Sequence, residues 1–125
     1  MIRKISEDTI TYTRDNDGSQ IAQVQEELAP DACLVRMAGD IGNEIADEVS
    51  DELAALLSVG RAPRVDMEGV TYLSSTMIDR LIALQRRMET RMQATLPIRN
   101  VPKPLFEALE RDGFVYSLDI EMKEE

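Results

Sequence analysis

Twice in this chain an apolar run ends at a glycine or a hydroxyl cluster, and the hydrophobic spacing then changes from that of a strand to that of a helix. Cys33-Leu34-Val35-Arg36-Met37 is an apolar run with one arginine, bounded by Gly39. From Ile41 to Leu57 the apolar residues Ile45, Val49, Leu53, Leu56 and Leu57 then recur at helical spacing, while Glu44, Asp47, Glu48, Asp51 and Glu52 fill the other side. In the same way Val70-Thr71-Tyr72-Leu73 runs into Ser74-Ser75-Thr76, and Met77, Ile78, Leu81, Ile82, Leu84 and Met88 continue with helical spacing. A strand that feeds a helix through a short connection, repeated along the chain, predicts an α/β sheet.

The remaining segments fit around these two units. Thr9–Thr13 alternates polar with apolar residues, Asp15-Asn16-Asp17-Gly18 supplies turn chemistry, and Ile21, Val24 and Leu28 suggest a second extended segment, so residues 1–30 are expected to hold a hairpin. Pro30-Asp31 separates it from the next strand. Gly60 and Pro63 stop the first helix, and Arg64-Val65-Asp66-Met67 predicts a short strand ending in a turn at Glu68-Gly69. Residues Thr95–Ile98 predict another strand. Pro102 and Pro104 precede a helix carried by Leu105, Phe106 and Leu109 with Gly113 as its stop, and Phe114–Ile120 is expected to close the sheet. The hairpin makes the expected sheet mixed. With 125 residues and no internal repeat, residues 1–125 are expected to form a single domain.

Charge and composition narrow the functional classes. The chain carries 14 Lys plus Arg and 24 Asp plus Glu, a formal net charge of −10, which disfavours nucleic acid and anionic lipid as partners and suits a basic protein surface. No stretch approaches the length of a membrane span, and the first residues lack the apolar region of a secretory signal, so a cytoplasmic protein is expected. There is no histidine and a single cysteine, Cys33, which removes Ser-His-Asp and Cys-His chemistry, histidine-ligated metals and an internal disulfide. Cys33 lies within an apolar run and is expected to be a core thiol. Asp66 and Glu68, two apart on a strand, have the spacing of a carboxylate pair, but no nucleophile or base partners them. Neither a catalytic residue nor a cofactor is expected. Arg80, Arg87 and Arg91 share one helix face, where they are surface residues or contacts for a nucleotide phosphate or an acidic partner. Met77, Met88 and Met92 are expected to fill core gaps, with Met77 the one exposed at an interface.

The triplet Ser74-Ser75-Thr76 has two readings. Hydroxyl residues at a helix start cap free backbone N–H groups. The same N-terminus, with its dipole and unpaired N–H groups, tolerates a phosphate.

The segment Val65-Asp66-Met67-Glu68-Gly69-Val70-Thr71-Tyr72-Leu73-Ser74-Ser75-Thr76-Met77-Ile78 resembles the signature of STAS domains, the family of bacterial anti-sigma factor antagonists. Leu34 to Ile41 resembles the family's strand and turn before its first long helix, and Val101 to Phe114 is similar to its last helix and closing glycine. The resemblance implies an α/β fold with a mixed sheet and helices mainly on one face. It also implies a non-enzymatic role: binding an anti-sigma factor that is a serine kinase, or another signalling protein, and thereby regulating transcription. Ser75 matches the phosphorylated serine, with Ser74 and Thr76 as backups, and Asp40, Ser74, Ser75, Thr76, Met77 and Arg80 fall in the implied docking region. ATP and magnesium would belong to the kinase. Three positions depart from the pattern. Ser74 stands where the family has Asp, Met77 where it has Gly at the approach to the serine, and Gly42 where it has an acidic residue. These departures leave a second role open, that of an unphosphorylated adaptor in a signalling assembly or as the cytosolic subunit of a membrane transporter.

Overall fold

The computed structural model describes residues 2–14 and 19–124. The turn expected at Asp15-Asn16-Asp17-Gly18 lies outside them. In the described chain the strands β1 (Ile2–Ser6), β2 (Thr9–Thr13), β3 (Gln20–Leu28) and β4 (Ala32–Ile41) come first. Then follow α1 (Asn43–Ser58), β5 (Ala62–Leu73), α2 (Ser75–Met92), β6 (Pro97–Val101), α3 (Lys103–Arg111), a 3-10 turn (Phe114–Tyr116) and β7 (Asp119–Met122). The strands form one seven-stranded sheet in sequence order, antiparallel from β1 to β4 and parallel from β4 to β7.

That order positions the helices. Each parallel pair is joined by a helical crossover, and such crossovers are right-handed. Because the sheet grows in one direction only, right-handed crossovers put α1, α2 and α3 on the same face. The strands show the consequence as alternation: Ala22, Val24, Cys33, Val35, Met37, Val65, Met67 and Ile98 are buried under the helices, whereas Gln25, Arg36, Arg64 and Glu68 stand exposed. The helices close the core with Ile45, Val49 and Leu53 of α1, Leu81, Leu84 and Met88 of α2, and Leu109 of α3. The mixed α/β sheet with helices on one face is the architecture read from the sequence.

Several boundaries moved, each for a physical reason. The expected turn at Glu68-Gly69 is instead part of a continuous β5. The pairing steps from Arg36↔Asp66 to Ala38↔Gly69 and then from Gly39↔Val70 to Asp40↔Tyr72, so β5 twice accommodates an extra residue as a bulge. A Cβ on Gly69 would lie 2.8 Å from the Ala38 Cβ, so glycine is there for close strand approach. Asp66 and Glu68 are consequently not a facing pair. One oxygen of Asp66 accepts from the Glu68 N–H (2.9 Å) and the other from Asn100 Nδ2 (2.9 Å), while Glu68 pairs with Lys123 (2.9 Å). β4 runs through Gly39, and α1 starts at Asn43. Phe114–Tyr116 is a 3-10 turn, so only Asp119 onward closes the sheet. β1 is a strand that the uneven pattern Ile2-Arg3-Lys4-Ile5 did not predict.

Two groups turn these observations into measurements. Gly39 has φ +90°, and a Cβ there would lie 2.4 Å from the Ile21 carbonyl oxygen, whereas Gly60, at φ +79°, has open space around it. Gly39→Ala is expected to cost about 3 kcal/mol or more and Gly60→Ala about 1 kcal/mol, read by urea unfolding. On β7, burial pushes the Asp119 carboxyl up, but hydrogen bonds from Thr95 (2.7 Å) and Arg99 (3.1 Å) and the Arg99 charge outweigh it and hold it below the ordinary aspartate range. A depressed carboxylate stabilises the fold above its unfolded titration range, and that contribution is lost as pH falls through the folded one. Asp119→Asn is expected to lower stability by about 0.5–1 kcal/mol at neutral pH, the group being part-exposed, and the difference from wild type is expected to vanish in strongly acidic buffer.

Candidate functional site

The carboxyl ends of adjacent parallel strands β4 and β5 both run directly into helices, so the N-termini of α1 and α2 lie side by side at one edge of the sheet. In open α/β sheets this edge is where ligands and partners are met, because the connections there are short and free to vary. The two ends are tied together: the Ser74 N–H donates to the Ile41 carbonyl at 3.1 Å, and Ile41 pairs with Leu73.

The hydroxyl triplet divides by direction. Ser74 is the N-cap of α2, and its Oγ accepts from the Met77 N–H at 3.2 Å. With only 3% exposure it is buried at the junction of strand and helix. Ser75 is the first helical residue and is exposed, and Thr76 is half-buried. The α2 first turn holds no acidic side chain, so nothing in it neutralises the positive end of the 18-residue helix.

Met77 corrects the expectation drawn from sequence. It is 0% exposed and packs in the core, so it is not the interface methionine expected there and does not stand over Ser75. The helix turns it inward because it lies on the stripe shared with Ile78, Leu81, Leu84 and Met88. Ser74 likewise presents no surface to a partner. Of the expected docking residues, Ser75, Thr76, Asp40 and Arg80 remain at or near the surface.

Asp40 pairs in register with Tyr72 and reaches over Gly42, where a Cβ would lie 3.0 Å from its Oδ1. An acidic side chain at position 42 would therefore meet the Asp40 carboxylate in space as well as in charge. Asp40, Gly42, Glu44, Ile21 and Tyr72 line a hollow beside the two helix starts. Tyr72, 54% exposed, is a surface aromatic that sequence reading placed in an apolar run; its signal was its place at a strand end, next to the hydroxyl cluster. Arg80, one turn into α2, donates to Asp47 of α1 through Nε (3.1 Å) and an Nη (2.8 Å), fixing the two helices side by side. Arg80 and Arg87 line a groove between α1 and α2, with Asp47 and Asp51 opposite, and Arg91 lies beyond it.

Cys33 is a buried free thiol, pushed up first by burial and next by the charge of Glu26, which suits packing rather than reactivity. Among the described residues no group of three Asp, Glu, His or Cys side chains is placed so as to hold a metal ion.

A sequence profile described as "Mlab, STAS domain" matches residues 24–115, most of the chain. The chain belongs to the STAS family. Solved structures with the same fold include the phosphorylated form of SpoIIAA, a Bacillus cell-fate determinant, at 12% identity and a TM-score of 0.59, covering 80% of this chain and 92% of that one. An anti-sigma factor antagonist from Mycobacterium paratuberculosis matches at 13% identity and a TM-score of 0.63, covering 87% and 89%. Unphosphorylated SpoIIAA, an anti-sigma factor antagonist, matches at 12% identity and a TM-score of 0.64, covering 80% and 89%. At such identities the likeness is one of fold. No curated protein sequence matches the chain.

Because Ser74 bonds inward and Ser75 does not cap, the two serines are separable by mutation. Ser74→Ala is expected to cost about 1 kcal/mol in urea unfolding through loss of the cap. Ser75→Ala is expected to change stability by less than about 0.5 kcal/mol.

Proposed function

We propose that this protein is an anti-sigma factor antagonist: in its unphosphorylated form it captures an anti-sigma factor kinase through the edge holding Ser75, Thr76, Asp40 and Arg80, and phosphorylation of Ser75 releases that partner. The observation that carries this reading is the division of the triplet, in which Ser74 is buried as the cap while Ser75 stands exposed at the start of a long helix. A phosphate there would add about −1.5 to −2 charges where backbone N–H groups and the helix dipole accept an anion, so the fold would tolerate it. A partner surface fitted to a neutral hydroxyl would face a hydrated dianion, which we expect to weaken binding by about 2–5 kcal/mol. The buried position of Met77 supports the same reading, since it leaves the approach to Ser75 open. ATP and magnesium would be bound by the kinase, and this chain would work in the cytoplasm as a binding protein that regulates transcription. Among the described residues no helix is long and apolar enough to cross a membrane.

The rival reading is an unphosphorylated adaptor, in a signalling assembly or as the cytosolic subunit of a membrane transporter. Ser74 favours it, because the carboxylate that the family pattern carries beside the switch serine is missing. The experiment is mass spectrometry of the protein from its native cells, grown with and without stress, joined to capture of partners by wild type and by Ser75→Glu. Phosphate on Ser75 that varies with condition, none on Ser74, and a partner held by wild type but lost by Ser75→Glu is the expected result. A partner retained by both forms, with no phosphate under any condition, would leave the adaptor.

A further inference from the structure

The first strand differs from the other six in how it is held. Every side chain of β1 is exposed, Ile5 at 63% and Ile2 at 44%, so the strand adds nothing to the core. It reaches β2 through the two-residue connection Glu7-Asp8, in which Glu7 adopts φ 49° without being glycine or asparagine, a conformation that costs about 1 kcal/mol or more. From Asp8 onward the chain is secured, because the Asp8 carbonyl accepts from the Glu26 N–H of β3 at 2.8 Å. The family profile begins at residue 24, so β1 lies outside the part of the chain it matches.

What fastens β1 beyond its backbone pairing is Arg3. It stands opposite Tyr12 in register and so projects on the helix-covered face, where it pairs with Glu52 of α1 and approaches Glu48 at 3.9 Å. Glu26 of β3 faces the same place. Burial first, and the neighbouring Glu52 carboxylate second, hold Glu26 above its ordinary range. The floor is Tyr12, 0% exposed, whose hydroxyl lies against the Arg3 side chain, and one Glu48 oxygen is buried there without a hydrogen bond. The Glu48 and Glu52 carboxylates, the Tyr12 phenol and the β2 edge thus form a notch occupied by one arginine on one extended strand, with Glu26 beside Glu52.

We infer that β1 is a displaceable occupant of a strand-addition site, and that the site accepts from a partner protein a basic, extended segment whose arginine takes the place of Arg3 beside Glu48 and Glu52. The chemistry of the occupant defines the chemistry of the partner: backbone pairing to β2 supplies the register, and the carboxylate notch selects the arginine. In the resting chain β1 competes as an intramolecular ligand, whose effective concentration is about millimolar for so short a connection. This site lies at the opposite end of the strand order from β7, outside the Ser75 edge, and stands whether or not Ser75 is phosphorylated.

The test uses the full chain, as wild type, Arg3→Gln and Glu52→Gln, with hydrogen exchange and a labelled peptide of residues 2–8. Arg3→Gln is expected to speed amide exchange in residues 2–6 at least tenfold while β4 and β5 keep their protection. The peptide is expected to bind Arg3→Gln at least tenfold more tightly than wild type, and to lose at least tenfold when its own arginine is replaced by glutamine. Glu52→Gln is expected to free β1 equally but to gain no peptide affinity, because the notch is then damaged; this variant decides the matter if Arg3→Gln does not fold. Unchanged exchange of β1 in the variants that fold, or peptide binding indifferent to the arginine, would overturn the inference. A dimer that exchanges β1 between copies and resists the peptide would overturn it in favour of a second copy as the occupant.

Discussion

The parallel pairing of β4 with β5 is the contact on which the rest of this molecule depends. It lies at the centre of the sheet, joins the antiparallel half to the parallel half, and sends both strands directly into helices at the same edge. Two bulges in β5 let a twelve-residue strand accompany a ten-residue one. They re-phase the buried positions from Val65 and Met67 to Val70 and Leu73, so that the strand still delivers Ser74 beside Ile41. Glycine at 39 and 69 is required because the neighbouring strands approach more closely than a Cβ allows.

The functional role proposed for that edge rests on geometry rather than on any reactive group. Helix N-termini present unpaired N–H groups, short connections leave side chains exposed, and the hollow beside Asp40 and Tyr72 gives a partner relief to grip. The residues are suited to recognition: a hydroxyl, a carboxylate, a phenol and an arginine anchored to the neighbouring helix. The opposite flank of the sheet is built on another principle, with a peripheral strand held by one arginine among carboxylates. The two surfaces share no residue, so a partner at one need not disturb the other.

Much of this was legible in the chain, for identifiable reasons. The change from strand to helical spacing at Gly39 and at Ser74 located α1 and α2, because burial on one face leaves a periodic trace. Ser74 and Ser75 were recognisable as a helix start. The bulges of β5 were not legible, since Glu68-Gly69 reads locally as a turn and only pairing with β4 reveals it as a bulged strand. β1 was missed because a strand without a buried face leaves no alternation in its sequence.

The sequence by itself determined the α/β class, the single domain, the absence of histidine and disulfide chemistry, and the place of a hydroxyl cluster at a helix start. These follow from composition and from periodicities that any chain must obey when one face of each element is buried. The tertiary structure decided directions: that Ser74 bonds inward while Ser75 faces out, that Met77 packs in the core, and that Arg3 meets Glu48 and Glu52. A side chain's direction depends on helix phase, strand register and neighbours distant in the chain, and residues 3, 26 and 52 come together only when the sheet and α1 have packed.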